Sequence, residues 1–478
     1  MTTTASPPAD FVKALSRLDA TALAVGSMIG SGIFIVSADI LRQVKSPGLL
    51  LAVWALAGSV TLVGALTYGE LAAMYPKAGG QYVYLREGIS PLFGYLYGWT
   101  LFLVIQSGTI AAVAVAFARF TSIFIPRLSP ELWPHLGFNV NLPAPLGTIQ
   151  VGASPQRAFA IASILVLTWI NVRGVRTAAL IQTTLTAIKT AALLGLILLG
   201  LTIGRHPEAL TANFGPNFWA TGGVSVGIAT VGAAMVGSLF SMDAWNNVGF
   251  AGGELRHPER DLPFAMAAGV LTVSVLYVLA NLAYVNVLPT EAIANAPQDR
   301  VGTAALQAIF GAPGLYVMTA AIMISTFGCN NGLILSGARV YYAMARDNLF
   351  FQHAGALHPR YRTPAGSLIV QAIWTCVLCL SGTYTELLRF VVFAAVLFYM
   401  LTTIGLLLLR RKQPALPRPV RAIGYPWLPA LYILATGLIA LNLLLAERTR
   451  TYSALGLGLV LLGIPVYYVW RRKTQLNR

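Results

Sequence analysis

The chain reads as an all-α integral membrane protein of twelve transmembrane helices, and three observations carry that reading. Hydrophobic residues make up 56% of the 478 and charged residues only 10%, with a mean hydropathy of +0.70. A soluble chain of this length needs far more charge to stay in solution. The apolar residues gather into runs close to the about 20 residues that a helix needs to cross a bilayer. Two of these runs are interrupted by small and polar residues, at Gly26–Phe34 and at Gly237–Asn246, where helix continuity should be cheapest.

Taken in order, residues 1–17 form a polar cytosolic tail. Met1 to Asp10 carries Pro7 and Pro8, shows no signal-peptide pattern, and leads into a full span. The expected spans are 18–42, 48–74, 91–125, 157–173, 178–203, 222–254, 261–288, 314–346, 365–382, 386–410, 427–446 and 453–470, with a cytosolic tail at 471–478. The long first, third, sixth and eighth of these are tilted, interrupted or carried beyond the bilayer. In the first, Gly26-Ser-Met-Ile-Gly-Ser-Gly-Ile-Phe34 places Gly30 and Gly32 where they weaken a helix. The fifth holds Lys189 at mid-length, and the sixth holds Gly237-Ser-Leu-Phe-Ser-Met-Asp-Ala-Trp-Asn246. Backbone groups freed in hydrocarbon persist only where they face protein, ligand or a wet cavity, so paired broken helices point to a binding site near the midplane. On break spacing and span count, residues 18–203 form one half of an inverted repeat and 222–410 the other, with 427–470 appended. Internal likeness is limited to fragments such as Val25-Gly-Ser-Met28 against Val236-Gly-Ser-Leu239.

The net charge of +16 is unevenly placed. With the N-terminus cytosolic, Lys13, Arg17, Lys77, Arg86, Arg173, Arg176, Arg256, Arg260, Arg346, Arg360, Arg362, Arg410, Arg411, Lys412, Arg418 and Arg421 fall on the inner side, as do Arg471, Arg472 and Lys473. Arg42, Lys45, Arg127, Arg205, Arg300, Arg448 and Arg450 fall outside. That is the positive-inside pattern of an inner (plasma) membrane protein with both termini cytosolic. Anionic lipid headgroups are its expected counter-charge, and no nucleic acid is required. Cys329, Cys376 and Cys379 all lie inside spans and read as packing residues, because nothing completes a metal site around Cys376-x-x-Cys379. The five histidines lie in predicted loops, and no catalytic or cofactor-binding motif is present, so no enzyme, metal or cofactor is expected. Glu70, Glu254, Arg339 and Arg346 sit near cytosolic ends and are expected to form solvated pairs.

A set of motifs spans most of the chain: Gly30-Ser-Gly-Ile-Phe34, Tyr75-Pro-Lys-Ala-Gly-Gly-Gln-Tyr82, Arg86-Glu87, Gly98-Trp99, Asn171-Val-Arg-Gly-Val175, Trp245-Asn246, Glu254 through Pro263, Ala338-Arg-Val340 and Ala343-Met-Ala-Arg-Asp347. In this order the chain resembles the amino acid–polyamine–organocation superfamily, close to its L-type amino acid transporter branch. The resemblance covers roughly residues 15–440. It implies a five-plus-five inverted repeat (LeuT-like) with broken helices 1 and 6, two C-terminal helices and alternating access. Animal light-chain relatives bond a glycoprotein through a cysteine in the outer loop between spans three and four. Residues 126–156 contain none, so no disulfide-linked heavy chain is expected.

An amino acid substrate brings a carboxylate and an ammonium, both costly to desolvate without partners. Unwinding at Gly30-Ser31-Gly32 exposes backbone N–H groups and a helix N-terminus, an anion site to which the Ser31 hydroxyl adds a donor. Carbonyls freed around Phe240, Ser241 and Asp243 would accept from the ammonium. The resemblance makes Phe240 an aromatic gate, while Met28 and Met242 are adaptable apolar linings of a side-chain pocket. The family commonly has an aromatic residue at Met242 and glycine at Ala244. Asp243 would cap the half-helix after the break, pair with the substrate amine or take up a proton. Lys189, costly within a membrane and so functional by default, is implied to reach back to the broken first helix and couple release to its movement. The expected function is secondary transport of neutral L-amino acids by exchange or proton-linked uptake without sodium. A cationic amino acid or polyamine antiporter is the alternative, and a channel the alternative from another class.

Overall fold

The computed structural model describes residues 11–129, 132, 137–141, 148–223, 226–381, 384–447 and 449–476. The apolar runs fold as helices that pack side by side. The first is two pieces, α1 (Arg17–Met28) and α2 (Gly32–Val44), followed by α3 (Pro47–Met74) and the short α4 (Gln81–Gly88). The third run is α5 (Pro91–Thr100) and α6 (Gln106–Thr121), joined by a π-helical turn at Leu101–Ile105. Then come α7 (Pro155–Val172), α8 (Val175–Leu201), α9 (Pro207–Asn213), α10 (Ile228–Ser241), the one-turn α11 (Asn247–Phe250), α12 (Pro258–Val287), α13 (Thr290–Ala294) and α14 (Val301–Phe310). The chain closes with α15 (Ala312–Arg346), α16 (Ala365–Ser381), α17 (Tyr384–Lys412), α18 (Trp427–Leu445) and α19 (Arg450–Leu476).

Ten helical segments among the described residues are long and apolar enough to cross a membrane, and the shorter apolar Ile228–Ser241 and Ala365–Leu380 occupy the sixth and ninth expected spans. The all-helical expectation has one exception. In the loop after α6, β1 (Gly137–Asn141) and β2 (Thr148–Gly152) pair antiparallel, Gly137 opposite Gly152 and Asn141 opposite Thr148. Phe138 and Val140 alternate with polar residues, as do Ile149 and Val151, which is strand chemistry.

Polarity is distributed inside out. Leucines 431, 434, 438, 441 and 445 of α18 are exposed along with Leu180, Leu194 and Leu198 of α8, while Lys189, Asn281, Asn331 and Arg339 are buried. Lipid suits such an exterior, and buried polar groups must then be satisfied by one another. Basic residues assigned to opposite sides gather at opposite ends. Arg42 pairs with Asp299 at 2.6 Å and Arg300 reaches the Arg119 carbonyl at 2.9 Å, whereas Arg17 pairs with Asp261 at 2.8 Å and Arg86 with Asp347. At that second end the lead-ins of both broken helices are tied, Leu15 N–H to the Glu254 carbonyl at 2.9 Å and Arg256 N–H to that of Leu15 at 3.1 Å.

Two pairs expected to be solvated are buried. Arg339 grips Glu254 through Nε and Nη2 at 3.1 and 2.9 Å, both side chains 1% exposed. Glu70, also buried, accepts from Arg410 at 2.9 Å, from Arg418 at 3.1 Å and from the Ala422 amide at 2.8 Å. Hydropathy placed these residues near span ends but carries no information on how the 410–422 segment folds back over α3.

Candidate functional site

The first break is a backbone with its carbonyls spoken for. α1 starts on a Ser16–Asp19 capping box and runs to Met28, after which Ile29 takes ψ 87° and α2 restarts at Gly32. A polar stripe on α8 holds α1 from the side: Thr183 donates to Asp19 at 3.0 Å, Thr186 to the Ala22 carbonyl at 3.1 Å, and Lys189 to that of Gly26. Their spacing of three is one helix face. The carbonyls that a helix end leaves orphaned are each met. Lys189 Nζ donates to Gly26 at 2.5 Å, Ile29 at 2.8 Å and Ser325 at 3.3 Å. Cys329 donates to Ser27 at 3.0 Å, Tyr277 to Met28 at 2.9 Å, and Ser325 to Ile29 at 3.0 Å and Gly30 at 3.3 Å. The donors are treated differently. Phe34 N–H returns to the Ser31 carbonyl at 3.1 Å, while the N–H groups of Gly32 and Ile33 meet no acceptor among the described residues. At the start of a helix such free N–H groups favour an anion.

The second break lies at Met242–Asn246, at the end of its expected stretch, with Gly237 still helical. Ala244 sits at φ 69°, the left-handed conformation that glycine adopts without penalty. Of the carbonyls expected to be free, that of Phe240 accepts from the Met242 and Asp243 amides, and that of Ser241 from Tyr277 at 3.3 Å. The Asp243 carbonyl receives no backbone donor among the described residues. Asp243 does not cap the next helix, since Asn246 is the N-cap of α11 and makes no side-chain cap bond. Its carboxylate instead accepts from the Tyr399 hydroxyl of α17. Tyr399 also lies 3.4 Å from Asn246 Oδ1, and Asn246 donates to Gln81 at 2.7 Å.

The two breaks touch. A Cβ on Gly32 would stand 2.1 Å from Ser241 Oγ and 2.7 Å from its Cβ, and one on Gly237 would stand 2.2 Å from Val36 Cγ1. Between them lies a small cavity with about 290 Å³ of empty volume. Met28, Gly30, Ser31, Gly32, Phe240, Ser241 and Asp243 all line it, joined by Ser27, Thr109, Val113, Ala244 and Cys329. Met242 borders a neighbouring cavity instead. Asp243 alone lines this cavity, that one, and a third of about 240 Å³ beside the π turn. Lys189 is 1% exposed. None of the ion pairs among the described residues includes Lys189 or Asp243.

Sequence reading passed over several of these residues. Cys329 reads as a packing residue in the sequence, yet its side chain lines the cavity and its thiol donates to the Ser27 carbonyl of α1. Tyr277, Ser325 and Tyr399 gain their partners only through the packing of α12, α15 and α17 around the breaks, whereas Thr109 donates to the Ile105 carbonyl one turn back at 2.6 Å and is marked only by its place on the cavity. No group of three histidine, cysteine or acidic residues able to hold a metal occurs among the described residues.

Two interrupted helices that meet at a buried cavity in a multi-pass bundle define the class of helical membrane carriers. Residues 15–463 match the amino acid permease family, and the chain belongs to that family. It is similar to large neutral amino acids transporter small subunit 2 of Homo sapiens, 30% identical over 97% of this chain and 82% of that protein. It is 29% identical to Asc-type amino acid transporter 1 of Mus musculus over 97% of this chain and 82% of that one. Against the serine/threonine exchanger SteT of Bacillus subtilis (strain 168) it is 28% identical over 96% of this chain and 97% of that one.

Proposed function

We propose that the protein is a secondary carrier of neutral L-amino acids that works by alternating-access exchange or proton-linked uptake without sodium, and not an enzyme. One observation carries this: the cavity between the breaks is lined on one side by the helix start at Gly32, where N–H groups are free among the described residues, and on the other by Asp243, a buried acid in no ion pair among them. An isolated buried carboxylate is expensive, and an amino acid zwitterion offers it an ammonium and offers the free N–H groups a carboxylate. The substrate carboxylate takes the free N–H groups at Gly32 and Ile33 with Gly30 and Ser31 beside them, on the side held by Lys189. The ammonium takes the Asp243 carboxylate and carbonyl. Phe240 closes over the substrate, Met28 and Ser241 complete the wall, and Lys189 couples occupancy to the position of α1.

In this reading the bundle has twelve spans. Residues 18–203 and 222–410 are inverted halves of the LeuT-like type, α1–α2 and α10–α11 are their broken first helices, and α18 and α19 are appended. Both termini face the cytosol from the inner membrane, and with no cysteine in residues 126–156 the carrier needs no disulfide-linked partner. Similarity to a protein named an exchanger supports exchange.

The test is counterflow of radiolabelled amino acid in proteoliposomes. Internal unlabelled substrate accelerates uptake through a carrier, whereas a channel dissipates the gradient without saturating. Asp243→Asn keeps the hydrogen-bonding shape and removes the charge. It is expected to weaken neutral amino acids by about tenfold to a hundredfold, the worth of a charge-assisted hydrogen bond. A second reading, transport of cationic amino acids or polyamines, draws on the contact of Asp243 with three cavities. Under it, Asp243→Asn abolishes lysine or putrescine transport and spares alanine.

A further inference from the structure

We infer that the substrate's side chain enters the cavity next to the breaks, and that the appended helix α18 forms part of its wall and so helps to set selectivity. The inference rests on the amino acid reading above. The cavity has about 440 Å³ of empty volume and shares Phe240 and Asp243 with the cavity between the breaks. Those are the residues beside which the ammonium and the gate are placed, so a group leaving the α-carbon past Phe240 arrives here. The third cavity shares Asp243 alone with the site, and its lining includes Gln81, Gln106, Asn246 and Asn247, whose Nδ2 has no partner among the described residues. Its chemistry suits water or a polar group.

The larger cavity is apolar in effect. Val60, Leu239, Met242, Val392, Val396 and Ile439 form its walls. Of its polar members, Tyr399 donates to Asp243, Thr436 to the Tyr432 carbonyl at 2.6 Å and Thr61 to the Ala57 carbonyl at 2.8 Å. None of the buried polar atoms left without a hydrogen bond among the described residues belongs to its lining, whereas Ser27 Oγ, at the cavity between the breaks, is one. An aliphatic or aromatic side chain leaves nothing unsatisfied there, whereas a polar one finds only the Asp243 carboxylate and the Tyr399 and Tyr432 hydroxyls to replace its water. Tyr432, Thr436 and Ile439 come from α18, outside both five-helix halves, and Tyr432 packs so tightly that a Cβ on Gly64 would meet its hydroxyl at 2.6 Å. The wall contributed by α18 is therefore in direct contact with α3.

Ile439 tests this without touching the breaks. In proteoliposomes of the full chain, inhibition of radiolabelled alanine uptake by unlabelled alanine, leucine, phenylalanine and tryptophan is compared for the natural protein, Ile439→Phe and Ile439→Ala. Filling the cavity with Ile439→Phe should weaken leucine and phenylalanine by about tenfold or more and alanine by less than about twofold, the scale on which apolar pockets discriminate. Enlarging it with Ile439→Ala should raise the preference for tryptophan and phenylalanine over leucine. Parallel weakening of alanine and leucine, or no change for any competitor, overturns the inference. If Ile439→Phe does not fold, the ratios for Ile439→Ala decide alone, and unchanged ratios overturn it. A natural protein that takes up no amino acid overturns the transport reading itself, and this inference with it.

Discussion

Gly32 is where the two broken helices come closest, so its missing side chain has a direct mechanical meaning. A methyl there collides with Ser241 down to the Cβ, and relief requires backbone movement. Gly32→Ala is expected to separate the breaks and weaken amino acid binding by about tenfold or more, on the scale of overpacking a filled site. Unchanged ligand-induced thermal stabilisation would refute the carboxylate site. Lys189→Ala removes the side-chain donor to the Gly26 carbonyl, while the Ile29 carbonyl keeps Ser325. Each buried acceptor left bare costs about 1–3 kcal/mol. The variant should still reach the membrane but lose most of its flux, and normal turnover would remove the assigned role. These two residues were legible in the sequence because their types are costly where they stand: glycine inside a helix, an ammonium inside a span. Tyr277, Ser325 and Cys329 were not legible. Hydroxyls and thiols are unremarkable in apolar helices until the fold aims them at a carbonyl.

At the scale of elements, hydropathy located the spans well because lipid imposes length and composition on each. The start of the second break was less accessible. Gly237 looks like a breaker, but its small size serves close packing of α10 on Val36, and the helix yields five residues later. There Ala244 holds φ 69° with a Cβ that disfavours it. Ala244→Gly should relieve about 1 kcal/mol of that penalty and raise the unfolding temperature of the detergent-solubilised protein. No gain would mean that the surrounding packing, and not the local backbone, sets the break. The hairpin after α6 was missed because a composition dominated by long apolar runs hides two short alternating segments.

For the molecule as a whole, burial of the Glu254–Arg339 pair means that the end tied by Leu15 and Glu254 is held by ions deprived of water. Removing one partner leaves the other uncompensated, so Glu254→Leu or Arg339→Met alone should cost about 3–5 kcal/mol, while the double replacement recovers much of the loss. Thermal unfolding of the three variants checks this, and independent, additive losses would contradict a shared pair. That the acid and the base would meet was not readable from sequence, because the pairing depends on how α15 passes behind the second broken helix.

The opposed ions beside the breaks carry an electrical corollary. One positive and one negative group together add no net charge to whatever moves, and a zwitterion adds none either. Exchange of one zwitterion for another should therefore draw no current, and its rate should be the same with or without an imposed potassium diffusion potential, whereas proton-linked uptake should respond to that potential.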